Sequence, residues 1–393
     1  MTWKDATRPQ TASSEDVRDI NRRVVLNLIR TRQPVSRADL ARLSGMQRST
    51  ISIIVEQLIK ERWVLEGATG RLPRGRRPTF LLLNNDRVII AVDVRPTQTT
   101  VALADVNGEF SSQQVMVTPG EPDRAARAII KQVQTVARTC RGKKIEGVGV
   151  TLPGRYDHRR QRLAFAPNLP WSDWDIGVQI AEATGMEVAL ENAANACVLA
   201  AVWFGQAEGA RDLVVVTVSE GIGTGVMANG QLVRGVGGMA GEFGHVPIEP
   251  DGPLCTCGSH GCWEVFASNR AALRYYAGRQ PADPSLSFPD LLARAERGDR
   301  KADEAIERMA RYLGRGMRMI MAGLAPDRII VSGDLTRSWT RVVPIIEAEV
   351  RAQALPGGRV PLVMASDEDG SARLRGAVAL VLQRHFGNPP LVP

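Results

Sequence analysis

The chain has 393 residues, of which 44% are hydrophobic and 23% are charged, an ordinary composition for a globular protein. This length predicts two or three domains, and no apolar run approaches the ~20 residues that a membrane span needs. The N-terminus has no hydrophobic signal segment, so we expect a cytoplasmic protein with reduced thiols and no membrane partner.

The net charge of +8 is concentrated at the N-terminal end. Residues 1–86 carry 16 Lys and Arg against 9 Asp and Glu, a net +7. Such an asymmetry indicates that this region contacts nucleic acid and that the remainder of the chain contributes little to the contact.

Three helices are predicted within residues 17–60. Apolar residues recur at helical spacing from Val17 to Arg30. One face would contain Val17, Ile20, Val24 and Leu28, with Val25 and Ile29 beside them. Ser36 and Asp39 have the spacing of a capping box that opens a short second helix. A glycine turn at Gly45 leads into a third helix that ends near Lys60. This order is typical of a helix-turn-helix, in which the start of the last helix contacts base edges.

The candidate base contacts are Arg48, Ser49, Thr50 and Ser52, with Ile53 as an apolar neighbour that could meet a thymine methyl or a protein surface. After the helices, Trp63–Glu66 and Thr79–Leu83 read as two paired strands around GATGRLPRGRRP. Arg74, Arg76 and Arg77 would make this loop a basic wing in a minor groove. A solvated basic linker is the less favoured alternative. Residues 1–86 are therefore predicted to form a winged helix-turn-helix domain that binds double-stranded operator DNA, as a symmetric dimer on an inverted repeat.

Residues 87–393 alternate strands and helices. The strand–turn–strand VIIAVDVRPTQTTVALADVNGE resembles LVVVTVSEGIGTGVMANGQL, which begins at Leu213. A helix is predicted over residues 124–138, a parallel strand over 146–150, and another helix over 192–203. Two similar halves facing each other across a cleft are the plan of actin-like sugar kinases, whose glycine turns hold the phosphates of ATP.

A candidate metal site lies in residues 245–262. His245, Cys255, Cys257 and Cys262 are ligand types that Zn²⁺ prefers, and four such ligands close a structural tetrahedral site. Glycines around the cysteines permit the tight turns of a zinc knuckle. A disulfide would require an oxidising compartment, and His260 is a rival fourth ligand on spacing alone. We expect one structural Zn²⁺ per chain.

The run from Glu220 to Gly225, then Gly244-His245, the three cysteines and Glu264, resembles the signature of the ROK family of repressors, open reading frames and kinases. The winged helix with its GRRP loop resembles the sugar-responsive repressors of that family. The resemblance covers essentially the whole chain. It implies an α/β, two-lobed actin-like (ribonuclease H-like) sugar-kinase fold after the winged helix, assembly as a homodimer or tetramer, and a sugar or sugar phosphate in the cleft. By the family pattern the ligand-binding residues are Gly154, Arg155, Asn168, Asn192, Glu242, His245 and Glu264, and His245 would serve the metal with one ring nitrogen and the sugar with the other.

Three departures from the kinase pattern bear on activity. Family kinases have an aspartate, the general base, where this chain has Ala193. Arg95 and Pro96 interrupt the first phosphate turn, and Ser332 replaces a glycine of another turn. Loss of the base and of a phosphate turn predicts that the chain is not an enzyme.

The leading hypothesis is a DNA-binding repressor of carbohydrate genes that is controlled by a sugar or sugar derivative. The alternatives are a sugar kinase with an unconventional base and a ligand-blind DNA-binding protein. Ala193 would leave a 6-hydroxyl facing a methyl group, so we expect an effector other than unmodified glucose, such as a pentose or a sugar phosphate.

Overall fold

The computed structural model describes residues 13–69, 78–166, 169–205, 207, 210–280, 283, 285–352, 358–366 and 370–387. These residues divide into two compact units. The first comprises the described residues up to Arg87 together with residues 382–387, and the second comprises those between Val88 and Val381. The division after Arg87 is one residue from the predicted boundary. The C-terminal contribution to the first unit has no signal in the sequence.

The first unit contains three helices and a small antiparallel sheet with strand order β1-β3-β2. In chain order the elements are α1 (Ser14–Arg32), β1 (Val35–Ser36), α2 (Arg37–Ser44), α3 (Arg48–Lys60), β2 (Val64–Thr69) and β3 (Thr79–Leu83). Ser36 and Asp39 form the predicted capping box at α2, and Gly45 ends that helix with a φ of 70°. These two local signals fix the turn between α2 and α3.

The buried face of α1 agrees with the prediction only in the second half of the helix. Val25 and Ile29 are buried as predicted, together with Leu26, whereas Val17 and Ile20 are exposed. Asn27 is buried because its Nδ2 donates a hydrogen bond of 2.8 Å to the carbonyl oxygen of Phe386. The last turn of the chain's final helix therefore packs on the second half of α1, and the first turns of α1 extend beyond this core.

The second unit is built from two halves with the same strand order. The first half contains β4 (Arg87–Val94), β5 (Gln98–Asp105), β6 (Phe110–Val117), α4 (Pro122–Thr139), β7 (Lys144–Leu152), β8 (Arg155–Asp157), β9 (Arg162–Phe165), β10 (Ser172–Trp174), α5 (Ile176–Thr184), β11 (Val188–Asn192) and α6 (Ala193–Trp203). The second half contains β12 (Leu213–Val218), β13 (Ile222–Ala228), β14 (Gln231–Val233), α7 (Glu264–Ala267), α8 (Asn269–Ala277), α9 (Phe288–Glu296), α10 (Arg300–Leu324), β15 (Arg328–Ser332), α11 (Trp339–Arg351), β16 (Leu362–Ala365) and α12 (Ala372–Phe386).

Each half has a five-stranded sheet, ordered β11-β7-β4-β5-β6 and β14-β13-β12-β15-β16. In both, three consecutive strands form an antiparallel meander whose first strand neighbours a fourth strand, and this fourth strand pairs in parallel with the outer strand. The fold therefore repeats the duplication that the two similar sequence segments predict. The small sheet β10-β9-β8 is an insertion in the first half only.

Glycines allow α6 and α12 to approach their neighbours closely. A Cβ on Gly225 would lie 2.4 Å from the carbonyl oxygen of Ala194, and one on Gly376 would lie 2.2 Å from that of Ala196. Gly225 belongs to the glycine turn that resembles a phosphate-binding loop, and here its lack of a side chain is required by helix packing. Among the described residues, no helix is both long and apolar enough to cross a membrane.

Candidate functional site

The start of α3 presents polar groups to solvent. Ile51, Ile54, Val55 and Leu58 are buried, and this fixes the opposite side of the helix outward. Arg48 and Ser49 are exposed, Thr50 and Ser52 are half-buried, and Ile53 is 67% exposed. Ser52 Oγ donates a hydrogen bond of 3.0 Å to the carbonyl oxygen of Arg48, so the Ser52 hydroxyl is partly engaged within the helix.

Gln47, which the sequence analysis did not include, stands at the N-cap of α3, is exposed, and makes no side-chain cap hydrogen bond. A glutamine at the start of a recognition helix can read adenine with both its donor and its acceptor. The loop between β2 and β3, with Arg74, Arg76 and Arg77, lies outside the described residues.

The four predicted metal ligands come together in the second unit. The candidate donor atoms of His245, Cys255, Cys257 and Cys262 all lie within 4.8 Å of one another. Cys257 Sγ is 3.6 Å from Cys262 Sγ, and Cys255 Sγ is 3.6 Å from His245 Nδ1. The cluster could therefore hold a metal ion. His260 is not part of it, because its Nδ1 contacts the carbonyl oxygen of Gly252 at 3.1 Å.

Local backbone geometry builds this knuckle. The amide of Gly258 donates to the carbonyl oxygen of Cys255, and the amide of Cys255 donates to that of Ser259. Gly261 has a φ of 67°, and a Cβ there would lie 1.6 Å from the carbonyl oxygen of Glu249. Only glycine fits at this position, because both the conformation and the space exclude a side chain.

A polar cavity of about 140 Å³ lies beside the metal cluster. Five of the predicted ligand-binding residues line it, namely Gly154, Asn192, Glu242, His245 and Glu264. Ala193 lines it as well, and its methyl group cannot accept a proton. Arg155 is absent from the lining, and its guanidinium contacts the sulfur of Met239. Asn168 lies outside the described residues.

Three glutamates line the cavity, Glu220, Glu242 and Glu264, and the last two are held differently. Glu264 Oε2 accepts a hydrogen bond of 3.0 Å from the amide of Ile222, and a Cβ on Gly221 would lie 2.3 Å from the same oxygen. Gly221 therefore makes room for Glu264 at the glycine turn. Glu242 Oε2 lies 3.8 Å from His245 Nε2, and burial raises the pKa of this carboxyl group. Since His245 Nδ1 faces Cys255, the two ring nitrogens face the metal cluster and the cavity separately.

Glu191 directly precedes the cavity-lining residue Asn192 and contacts side chains from two distant segments. It is 1% exposed, and its Oε2 lies 3.0 Å from His158 Nε2 and 2.8 Å from Arg234 Nε. Burial works to raise the pKa of Glu191, but hydrogen bonding and charge from His158 and Arg234 outweigh it and leave the pKa below its usual value. Sequence reasoning missed His158 and Arg234, since neither has a motif of its own.

Asp93, the penultimate residue of β4, is shared by two arginines, and one of these, Arg373, lines the cavity. Arg95 Nε lies 2.8 Å from Asp93 Oδ2, and Arg373 Nε lies 2.8 Å from Asp93 Oδ1. Thr151 Oγ1 donates a further bond of 2.8 Å to Oδ1. The two guanidinium groups outweigh burial and keep the pKa of Asp93 below its usual value. This carboxylate therefore stays ionised, and its oxygens are already engaged by side chains. Arg373 had no sequence signal.

Comparison with known proteins places these features in a family. The model of the ROK family matches residues 89–384. A xylose repressor from Bacillus spizizenii is 32% identical over 344 residues, which cover 86% of this chain and 88% of that protein.

Two solved structures are also similar. One is a ROK family transcriptional regulator, a homologue of the E. coli MLC protein, with a TM-score of 0.81, 25% identity, and coverage of 95% of this chain and 98% of that one. The other is a ROK family glucokinase from Streptomyces griseus in complex with glucose and AMPPNP, with a TM-score of 0.69, 30% identity, and coverage of 75% and 99%. The regulator thus matches nearly the whole chain, whereas the kinase matches about three quarters of it.

Proposed function

The chain belongs to the ROK family, and on that premise we propose that it is a transcriptional repressor of carbohydrate genes whose operator affinity is controlled by a sugar or sugar derivative. One observation carries the proposal. A chain with a winged-helix unit also has a cavity that retains polar groups able to grip sugar hydroxyls, whereas the groups that phosphoryl transfer needs are replaced or neutralised.

In the proposed DNA complex, α3 lies in the major groove with Arg48, Ser49 and Gln47 toward base edges. Arg48 is a candidate for guanine and Gln47 for adenine, since each side chain can form two hydrogen bonds to that base. The wing arginines add minor-groove contacts. A homodimer would match an operator with inverted half-sites. Such a protein acts on chromosomal DNA, which supports a cytoplasmic location.

In the proposed effector complex, sugar hydroxyls meet the carboxylates of Glu242 and Glu264, the side-chain amide of Asn192 and the free ring nitrogen of His245. Asn192 Oδ1 accepts a hydrogen bond of 2.8 Å from the backbone amide of Asn195. This bond orients the side-chain amide, and its amino group is then proposed to donate to the ligand. Two carboxylates beside each other suit a ligand that is rich in hydroxyl donors.

The metal is proposed to be one structural Zn²⁺. Tetrahedral zinc with Zn–S near 2.3 Å and Zn–N near 2.1 Å separates its ligand atoms by roughly 3.6 to 3.8 Å. The two observed separations of 3.6 Å fit this arrangement. The ion would fix His245 Nδ1 and so orient Nε2 toward the cavity. It would also bind the segment between residues 246 and 262 to the cavity wall, so effector binding should depend on it.

The test is operator selection followed by an effector panel. Duplexes bound by the purified protein are enriched from a random pool, and affinity for the enriched sequence is measured with xylose, glucose, N-acetylglucosamine and a hexose 6-phosphate. We expect an inverted repeat and a change in affinity of about fivefold or more with one of these compounds. Failure to enrich any sequence, or indifference to every sugar that binds the protein, would contradict the proposal.

A sugar kinase is the second candidate, because the glycine turn at Gly221–Gly225 and the polar cavity are both present. Glu220, Glu242 and Glu264 are the carboxylates of the lining that could accept a proton from the sugar. Sugar-dependent ADP release from Mg-ATP distinguishes this candidate from the repressor.

A further inference from the structure

The segment that follows β14 leads from Arg234 to three consecutive residues of the ligand cavity, Ala240, Gly241 and Glu242. The amide of Ala240 donates a hydrogen bond of 3.0 Å to the carbonyl oxygen of Arg234, so the two ends of this segment meet. Its middle is exposed to solvent, and Val236 is 76% exposed. The position of Arg234 therefore determines where the chain enters the cavity wall, and we call residues 234–240 the entry loop.

A buried carboxylate holds the side chain of Arg234. Glu191 Oε2 lies 2.8 Å from Arg234 Nε and 3.0 Å from His158 Nε2. Glu191 Oε1 accepts hydrogen bonds from the backbone amide of Asn192 at 3.0 Å and from the side-chain amide of Asn195 at 3.1 Å. Because Glu191 is buried, loss of a charged partner is costly. We call Glu191, His158 and Arg234 the Glu191 clamp.

His158 connects the clamp to the segment around β8. Its ring stands nearly perpendicular to that of the buried Tyr156, with ring centroids 4.8 Å apart. The entry loop packs on the same strand, because a Cβ on Gly238 would lie 2.4 Å from the carbonyl oxygen of Tyr156. Gly154, which lines the ligand cavity, directly precedes β8. The clamp therefore includes the segment that leads to Gly154.

The clamp supports the ligand cavity from outside its lining. None of His158, Glu191 and Arg234 lines the cavity, but each adjoins a segment that does. The candidate metal cluster includes His245, on one side of Glu242 in the sequence, and the clamp holds Arg234 on the other side. Polar groups that bind a ligand must be held to within about 0.5 Å by supporting contacts. One carboxylate supplies such contacts to three segments at once.

We propose that Arg234 and His158 are positioning residues for the effector. Acting through Glu191, they hold the three cavity-lining segments at the spacing that the hydroxyl groups of a sugar require. This inference rests on the proposed function of the cavity as a sugar site. Neither side chain is among the ligand-binding residues that the family pattern implies. Arg234 has the larger role, because it compensates the charge of Glu191 and its backbone closes the entry loop.

The experiment is calorimetric titration of the full-length protein with xylose, glucose, N-acetylglucosamine and a hexose 6-phosphate. Arg234→Met should bind the sugar that wild type prefers about tenfold more weakly or worse, since supporting contacts of this kind are worth 10- to 100-fold in ligand affinity. Arg341→Met is the matched control, because the side chains of Arg234 and Arg341 are 36% and 34% exposed and each pairs with one carboxylate. Arg341 does not line the cavity, so this variant should bind within about twofold of wild type.

Conservative variants separate positioning from a general loss of stability. Arg234→Lys keeps a cation that can reach Glu191 and should bind within about threefold of wild type. His158→Leu removes the ring nitrogens and should weaken binding by about threefold or more. His158→Gln keeps a side-chain N–H donor and should recover most of that loss. Thermal unfolding checks that each variant is folded at the temperature of the titration.

The possible failures of this inference and of the proposed function can be distinguished. Unchanged sugar affinity in Arg234→Met would overturn the positioning role and leave the proposed function intact. Equal losses in Arg234→Met and Arg341→Met, or binding by Arg234→Lys as weak as by Arg234→Met, would also overturn it. If none of the four sugars binds the wild type, the proposed function fails and this inference fails with it.

Discussion

The ligand cavity has two walls whose charged groups are arranged for different tasks. On the metal-cluster side, Glu242, His245 and Glu264 face the cavity, and their positions are fixed by a knuckle and a glycine turn. The second wall contains Ala193, which presents a methyl group, and Arg373, which is engaged by Asp93. We propose that the first wall recognises a polyol. The second wall offers no proton acceptor at Ala193, and we therefore propose that the cavity binds a sugar without transferring a phosphoryl group.

The largest effect should come from loss of the metal ion beside the first wall. Cys257→Ser, or exhaustive treatment with a chelator, should lower Tm by roughly 5 to 10 °C and abolish the effector response, because structural zinc contributes folding free energy. Metal analysis and thermal unfolding check this. Cys140→Ser, at a buried thiol outside the cluster, is the control and should retain both metal and response. Protein purified without stoichiometric metal that still responds to sugar would disprove the role.

The DNA-binding unit can be tested separately from the cavity. Replacing Arg76 and Arg77 with Ala should reduce operator affinity by about tenfold or more and lower the salt slope by roughly 2, since each phosphate contact contributes about 0.9. The control removes two exposed arginines of the second unit, Arg300 and Arg351. Unchanged affinity of the wing variant across a salt series would exclude the wing from the interface.

The sequence predicted structural features that depend on neighbouring residues, but it did not predict contacts between residues that are far apart in the chain. The capping box at Ser36 and the glycine turn at Gly45 each depend on residues a few positions apart in the sequence. The two similar strand segments predict the duplicated sheets. Arg234 meets Glu191 across 43 residues, and Arg373 reaches Val94 across 279 residues. No spacing rule links such partners, because only the folded sheets bring them together.

The predicted burial of the first half of α1 was wrong for the same reason. Its helical periodicity marks a face that includes Val17 and Ile20, yet these side chains are exposed. Burial of Asn27 depends on Phe386, 359 residues later. Periodicity identifies a helix and its apolar stripe. How much of that stripe is buried depends on the distant segment that packs on it, which the local sequence cannot predict.

An intermediate effect, on stability, is expected from substitution of Glu191, which directly precedes the cavity-lining residue Asn192. Glu191→Gln should lower the free energy of unfolding by about 1 to 3 kcal/mol, because the charge that holds His158 and Arg234 is lost. The folded pKa of Glu191 lies below its unfolded value. Its contribution is therefore fully present above the unfolded pKa of about 4.3 and is lost as pH falls through the folded pKa.

Denaturant unfolding between neutral and acid pH measures both effects. The Glu191→Gln variant should lose part of the wild-type decline in stability toward low pH, whereas Glu347→Gln, which removes a carboxylate paired with Arg351 on α11, should keep it. Identical pH profiles for wild type and Glu191→Gln would show that this carboxylate is not ionised by its partners.

The smallest expected effect concerns the effector. A glucose 6-hydroxyl facing Ala193 would lack an acceptor, at a cost of ~1–3 kcal/mol, so glucose should bind roughly 5- to 100-fold more weakly than the preferred ligand. Ala193→Asp should reduce this difference. Calorimetry with glucose, xylose and a hexose 6-phosphate checks it, and tightest binding to glucose in the wild type would refute the inference.

The most direct test of the central claim, that this cavity recognises a sugar without transferring a phosphoryl group, is ADP release at saturating sugar. Protein shown by calorimetry to bind a sugar is incubated with Mg-ATP and that sugar, and a ROK glucokinase is run in parallel as the positive control. The account predicts no sugar-dependent ADP above the background of ATP alone. Sustained, sugar-dependent turnover by the wild-type chain would contradict it.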